Sequence, residues 1–490
     1  MLKKAILLTH RYLGVVLCLL FVIWFLSGFV MMYVPFPTMK HQERLGKLPE
    51  ADFRNCRVTL REAWQQTGWK SSLKTARLGM MLGRPVYRLV SQNNEHALIR
   101  ADTPERIGAI DMPTATRLAQ EFHPATIRHI EELTQIDQWM AGHKYQGYLP
   151  HVYRFEMTDG MYVYVAVHSG EVVQYVTQRQ RILAWLGPIP HWIYPTILIR
   201  NRPIWSQVVI WVSIAGSVMS LSGILMGIIR VKRRRKAPIL AISPYKKRWF
   251  RWHHYTGFVF GLFVFTWVLS GLFSMSPFGW APSTKLTAKE AEAWSGGSPE
   301  TADWKLPPSS IGSLPGFRLK EIHFQVVHGR PYYLAWEDEH RTRLLPADSL
   351  TTGSIQVLPT RPEQQALARL RPDATIREAA LLTAYDDYYY SKRGEKRLPV
   401  LRVTFADPDE TAYYVDLHTG QVVLRHQSAT RLERWLYHGL HSFDFRWLVY
   451  RRPLWDIVVG VLMTGGLAVS VTGLVLGYRW LRRKTKNSLT

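Results

Sequence analysis

The sequence predicts an α+β membrane protein, a four-transmembrane-helix bundle from a tandem duplication, with two extracytoplasmic α/β domains. Three observations predict it. Four apolar runs, roughly 12–34, 205–230, 254–275 and 455–479, reach the about 20 residues that a bilayer crossing needs. Long polar segments follow the first and third runs and read as mixed helix and strand. Finally, the second half of the chain repeats the first.

The repeat is explicit. A shift of 243 residues lays His10 on His253, Tyr12 on Tyr255, Gly14 on Gly257, Trp24 on Trp267 and "LSG" at 26–28 on "LSG" at 269–271. A shift of 250 lays "VHSGEVV" at 167–173 on "LHTGQVV" at 417–423, His191 on His441, and "RPIW" at 202–205 on "RPLW" at 452–455. It also lays Gly216, Gly223 and Gly227 on Gly466, Gly473 and Gly477. The GxxxG spacings at 223–227, 257–261 and 473–477 read as close helix packing.

The elements follow in order. Residues 1–34 hold the N-terminus and first span, 35–180 the first outer domain, and 181–230 an interfacial segment with the second span. Residues 231–252 form a basic loop, 253–276 the third span, 277–430 the second outer domain, 431–480 an interfacial segment with the fourth span, and 481–490 a tail. The first run is read as an uncleaved span, because it is too long for a signal peptide and "YVPFPTMK" lacks a small-residue cleavage site. In the outer segments "TLREAWQQTGW" reads as a short helix, with Leu60, Ala63 and Trp64 on one face, and "TATRLAQEF" as another. "RPVYRLV" alternates as a strand; "ALIRAD", "HVYRFEM" and "YVYVAV" read as further strands, "HSGEVV" as a turn. The second half repeats the scheme with "RPYYLAW", "LPVLRVTF" and "AYYVDLHTGQVV", giving two sheet-plus-helix units per half.

Charge sets the expected orientation. The formal net charge is +25, and no nucleic-acid motif accompanies it. Much of that charge flanks the apolar runs, as in "RVKRRRKAPILAISPYKKRWFR" and "RWLRRKTK". The positive-inside rule places these and both termini in the cytosol, and the outer domains in the periplasm of a Gram-negative cell. The expected site is thus the inner membrane, with the lipid bilayer itself as a partner. Cys18 and Cys56 are the only cysteines, one in a span and one outside, so no disulfide framework and no covalent haem attachment is expected.

Of 18 histidines, four stand at equivalent places: His10 and His253 at the cytosolic mouths of spans one and three, His191 and His441 just ahead of spans two and four. A ligating side chain at membrane depth is costly and usually functional; the plain alternative is an interfacial histidine capping a helix. A hydrocarbon layer of about 30 Å separates His10 from His191, so each must pair with the other half. His10 with His253, and His191 with His441, suit the two axial positions of a b-type haem, which gives two haems. His254 and His438 stand close enough to compete as ligands, but the repeat frame favours His253 and His441. The "LGPIP" before His191 predicts an irregular turn there.

"HRYLG…W.LSG", "YYVDLHTGQVV" and "RWLYHGLHSFDF…RPLWD" together resemble the PepSY-associated transmembrane proteins, over nearly the whole chain. That resemblance implies PepSY-like outer domains and a kinship with inner-membrane ferrisiderophore reductases that carry two b-type haems on histidines. His10, His253, His191 and His441 match the family's histidine positions. No flavin or nicotinamide motif is present, so electrons would come from a separate cytosolic flavoprotein or a membrane quinol. The expected function is a di-haem oxidoreductase with a periplasmic acceptor, ferric siderophore iron. The competing readings are a haem-free, membrane-anchored PepSY binding or regulatory protein, and a permease for iron chelate or haem. Asp137 and Asp386, with Tyr388, Tyr389 and Tyr390, mark a further candidate, a docking surface for the acceptor set against ordinary aromatic packing.

Overall fold

The computed structural model describes all residues except 142–150, 232–242, 312–313, 351–352, 393 and 488–490. Half of the basic segment 231–252, on which the expected orientation leans, lies outside the described residues. The chain divides into two compact units. One comprises Met1–Phe36, Arg179–Pro282 and Ala429–Thr490; the other comprises Pro37–Gln178 and Ser283–Ser428.

The first unit is a helix bundle. Its four long helices are α1 (Leu2–Met31), α2 (Arg202–Arg230), α3 (Arg248–Phe273) and α4 (Leu454–Asn487). All four are long and apolar enough to cross a membrane. α1 and α3 start well ahead of the apolar runs, at Leu2 and Arg248, because basic and aromatic residues extend each helix outward. His10 and His253 consequently lie inside the helices, about two turns into α1 and about one and a half turns into α3, rather than at their mouths. Asn201 caps α2 by accepting from Ile204 N, and Pro203 stands in its first turn, where its missing N–H costs nothing. The helices neighbour one another in the ring α1–α2–α3–α4, so α1 and α3 face each other across the bundle. Leu17, Phe21, Phe25, Met219, Val264, Trp267 and Met463 fill its interior.

The second unit is built on one seven-stranded antiparallel sheet in the order β11-β10-β9-β1-β2-β3-β4. Here β1 is Leu73–Met81, β2 Arg84–Ser91, β3 His96–Arg100, β4 Arg106–Ile107, β9 Glu321–Val327, β10 Arg330–Trp336 and β11 Thr342–Pro346. The two outer segments, expected as two domains, share this sheet: β1 pairs with β9, with Arg77 opposite His323 and Gly79 opposite Glu321. Two four-stranded sheets complete the unit, β5-β6-β7-β8 (Ile127–Leu133, Val152–Met157, Tyr162–Ala166, Glu171–Val176) and β12-β13-β14-β15 (Ile376–Leu382, Val400–Phe405, Ala412–Asp416, Gln421–His426).

The strand in "RPVYRLV" does not alternate as expected. β2 is buried on both faces, with Tyr87 and Leu89 in one core and Val86 in another. The reason is that the large sheet is covered twice. One face packs against the helix Leu60–Gln65 and the segment around Leu306 and Ile311; the other packs against the small sheets and their helices, Met112–Phe122 and Thr360–Leu370. The repeat extends to single bonds: Tyr87 donates to the Val58 carbonyl at 2.7 Å, Tyr333 to that of Leu306 at 2.6 Å.

Candidate functional site

The bundle brings the four predicted histidines together in two pairs. His10 of α1 faces His253 of α3 with ring centres 6.1 Å apart, and His191 faces His441, also at 6.1 Å. His254 and His438 take other places. His254 Nε2 lies 3.3 Å from the Gly227 carbonyl, and His438 is directed toward Asp444 at 3.9 Å.

Each ring is held the same way. Nδ1 of His10 donates to the Met219 carbonyl at 3.0 Å, that of His191 to the Trp24 carbonyl at 3.1 Å, and that of His441 to the Trp267 carbonyl at 3.1 Å. His253 Nδ1 donates to Thr472 Oγ1 at 3.0 Å and is also bonded to the Val469 carbonyl. A carbonyl oxygen can only accept, so the proton of each imidazole sits on Nδ1 and Nε2 keeps its lone pair. This is the tautomer a metal ligand needs, and a second hydrogen bond of this kind is the usual device for orienting one.

Three residues beyond that carbonyl, each helix carries a hydroxyl, and one residue later a glycine. The steps are Ser27-Gly28, Ser222-Gly223, Ser270-Gly271 and Thr472-Gly473. All four hydroxyls lie within bonding distance of the carbonyl that receives the histidine: Ser27 of Trp24 (3.1 Å), Ser222 of Met219 (2.8 Å), Ser270 of Trp267 (2.9 Å) and Thr472 of Val469 (2.9 Å); Ser27 and Thr472 divide their single proton with the carbonyls of Ile23 (2.7 Å) and Ala468 (2.8 Å). All four glycines stand against the ring. A Cβ at Gly223 would lie 2.6 Å from His10 Cε1, at Gly473 3.3 Å from His253, at Gly271 3.5 Å from His441, and at Gly28 3.6 Å from His191. The expectation that Gly223 and Gly473 pack helix on helix is corrected here, since they make room for imidazoles.

The outer two histidines sit on irregular backbone. Pro188–His191 is a single turn after Gly187, as "LGPIP" predicts. His441 follows a π-helical turn, Arg434–Gly439. Different local devices thus reach equivalent places, and the next helix pins both: Trp205 Nε1 donates to the Trp192 carbonyl and Trp455 Nε1 to that of Ser442, each at 3.1 Å. These tryptophans close the "RPIW" and "RPLW" motifs. The repeat contained this signal, but its partner was out of sight.

The pairs fit a metal held from two sides. Two imidazoles bound in line to one metal, with bonds of about 2 Å and ring centres about 1.1 Å behind the nitrogens, stand about 6 Å apart. Among the described residues no group of three or more His, Cys, Asp or Glu could hold a metal ion, so a metal here would have two protein ligands. Its remaining positions would belong to a non-protein group such as a macrocycle. Trp24 Nε1 is buried with no hydrogen-bond partner, which leaves one interior N–H for an acceptor on that group.

The aspartates singled out as a docking candidate are bonded within the fold. Asp137 accepts from Tyr164 and Arg154, and Asp386 from Tyr414 and Arg402, while each also accepts two backbone N–H groups of its own turn. Tyr389 is buried. These residues anchor a turn in each half. Cys18 and Cys56 are both buried and free. No family model and no curated protein matches this chain.

Proposed function

We propose that the chain is a di-haem b oxidoreductase of the bacterial inner membrane, passing electrons from the cytosolic side to a periplasmic acceptor, ferric siderophore iron. The observation that carries the reading is the pairing of four histidines, each with Nδ1 turned to a carbonyl or hydroxyl oxygen, as two facing sets at two depths of one bundle. His10 and His253 would hold one haem, and His191 and His441 the other.

A bound haem would supply a one-electron couple. The chain's own residues do the rest. The four Nδ1 hydrogen bonds fix the rings, and Trp24 Nε1 offers a donor to a carboxylate. Ser27 lies 17 residues beyond His10, so the two pairs stand about 25 Å apart along α1, which is most of a bilayer. Phe21, Phe25 and Trp267 fill that interval and exclude water from it. One electron reduces Fe(III) to Fe(II), which hard oxygen chelators hold far more weakly, so reduction releases the iron. The basic segments and PepSY-like outer domains expected from the sequence set the direction, with a flavoprotein or quinol as donor inside and the acceptor outside.

The test is the visible spectrum of the detergent-purified protein, oxidised and dithionite-reduced, with haem quantified per chain. About two b-type haems are expected, falling to about one in His10→Ala and in His441→Ala. A colourless protein from cells given ample haem precursor overturns the reading.

A further inference from the structure

The four Ser/Thr-Gly steps carry an inference that rests on the di-haem reading. We infer that Ser27, Ser222, Ser270 and Thr472 are positioning residues that set the ligand strength of the four histidines, and through it the reduction potentials of the two sites.

The geometry is repeated four times, once on each helix. A carbonyl three residues earlier lies within bonding distance of both the hydroxyl and the histidine Nδ1. At three of the four sites the hydroxyl also reaches Nδ1 itself, Ser27 at 3.2 Å from His191, Ser270 at 3.1 Å from His441 and Thr472 at 3.0 Å from His253, whereas Ser222 meets His10 through the carbonyl. Helix packing does not require this arrangement. Buried Ser213, Ser217 and Ser220 of α2 are not attached to a histidine; Ser217 and Ser220 bond back to carbonyls that no histidine uses. A hydroxyl on the shared carbonyl occupies part of its accepting capacity. The Nδ1–H bond is thereby weakened, less negative charge is pushed into the ring, and Nε2 is a weaker donor to a metal. Weaker donation favours the reduced metal and raises the potential.

His10 is the clearest case. Ser222 donates to the Met219 carbonyl at 2.8 Å, beside the His10 bond at 3.0 Å. Removing that hydroxyl leaves the carbonyl wholly to His10. The ring gains electron density, and the inner site becomes harder to reduce. Gly223, one residue on, keeps His10 close enough for the effect to be felt.

The experiment is a spectroelectrochemical titration of the purified full-length protein. Ser222→Ala is expected to retain both haems and to shift one couple toward oxidised by up to about tenfold in the oxidised:reduced ratio, ~59 mV for one electron. Ser222→Cys, isosteric with a poor donor, is expected to shift the same couple in the same direction, and Ser222→Thr to restore it. Ser220→Ala is the control and leaves both couples in place. Two haems with unchanged or raised couples in Ser222→Ala and Ser222→Cys overturn this inference alone. A colourless wild-type protein overturns it together with the reading on which it rests.

Discussion

A glycine beside an imidazole is a statement about volume, and it can be graded. A Cβ at Gly223 would lie 2.6 Å from His10 Cε1, closer than any rigid ring tolerates, whereas a Cβ at Gly227, one turn along the same helix, meets nothing within 4 Å. Gly223→Ala is therefore expected to displace His10 and lose about one haem per chain, although alanine favours the helix by about 1 kcal/mol. On the proposed di-haem reading Gly227→Ala is expected to keep both haems, and Gly271→Ala, whose Cβ stops 3.5 Å from His441, is expected to be tolerated. Haem content per chain, measured on the three variants, checks the order. At this scale the four histidines were legible in the sequence, because the repeat put them in equivalent places. The glycines were seen but misread. GxxxG spacing is the same whether the empty side faces a helix or a ring, and only the tertiary fold brings His10 to Gly223. Ser222 lay in an "LSG" identical to the two that were noticed, but at neither repeat shift does it fall on another "LSG".

The elements of the second unit are tied by buried charge. Glu171 of β8 accepts from Arg77 of β1 at 2.6 and 3.0 Å, and Arg88 of β2 stands 3.6 Å away. Arg44, from the short helix His41–Lys47, reaches both Glu171 and Glu321 of β9. Burial opposes the charge on Glu171, but the guanidinium groups of Arg77, Arg88 and Arg44 outweigh it and hold the carboxyl at about 2. A carboxyl depressed in the folded state stabilises fully above its unfolded range near 4.5, and that contribution is lost as pH falls toward 2. Glu171→Gln leaves buried guanidinium groups short of a partner and is expected to cost roughly 3–5 kcal/mol, seen as a lower Tm at pH 7 and a smaller difference at pH 3. Glu363, on the helix Thr360–Leu370, has the opposite sign. Burial pushes its carboxyl up to about 8, and His328 Nε2, 3.3 Å from it, is too poorly aligned for a hydrogen bond. The unfolded chain releases that proton near 4.5 while the fold retains it, so stability falls as pH rises from about 4.5 to 8. Glu363→Gln is expected to raise Tm at pH 8 and leave it nearly unchanged at pH 4. Neither cluster was legible in the sequence, because its members come from strands far apart in the chain. Most of the strands and helices themselves were, and β2 was misread only in its faces, since alternation cannot announce a sheet covered on both sides.

The duplication governs the whole molecule, yet its copies are no longer interchangeable. Each histidine pair takes one member from each half, and the large sheet reads nearly the same from either end, with β1 and β9 at its centre. By that symmetry alone, a single half could pair with a second copy of itself. The central register argues against it. Arg77 of β1 faces His323 of β9, which occupies the equivalent place in the second half; two first halves would set Arg77 against Arg77. Like charges opposed in a ladder destabilise it. The first half would also lose Glu321, leaving Arg44, Arg77 and Arg88 to share Glu171, while two second halves would bury Glu321 without Arg44. Residues 1–236 and 237–490, expressed separately, are accordingly expected to be unstable and to carry little haem. Expressed together, they are expected to associate in equal amounts and recover about two haems per pair. Arg77→His in the first half removes the opposed charges, and should raise the yield of its self-associated form without restoring full haem content. Size-exclusion chromatography with haem absorbance reads all three outcomes. A first half that self-associates and binds haem as well as the intact chain would show that the register does not discriminate between copies.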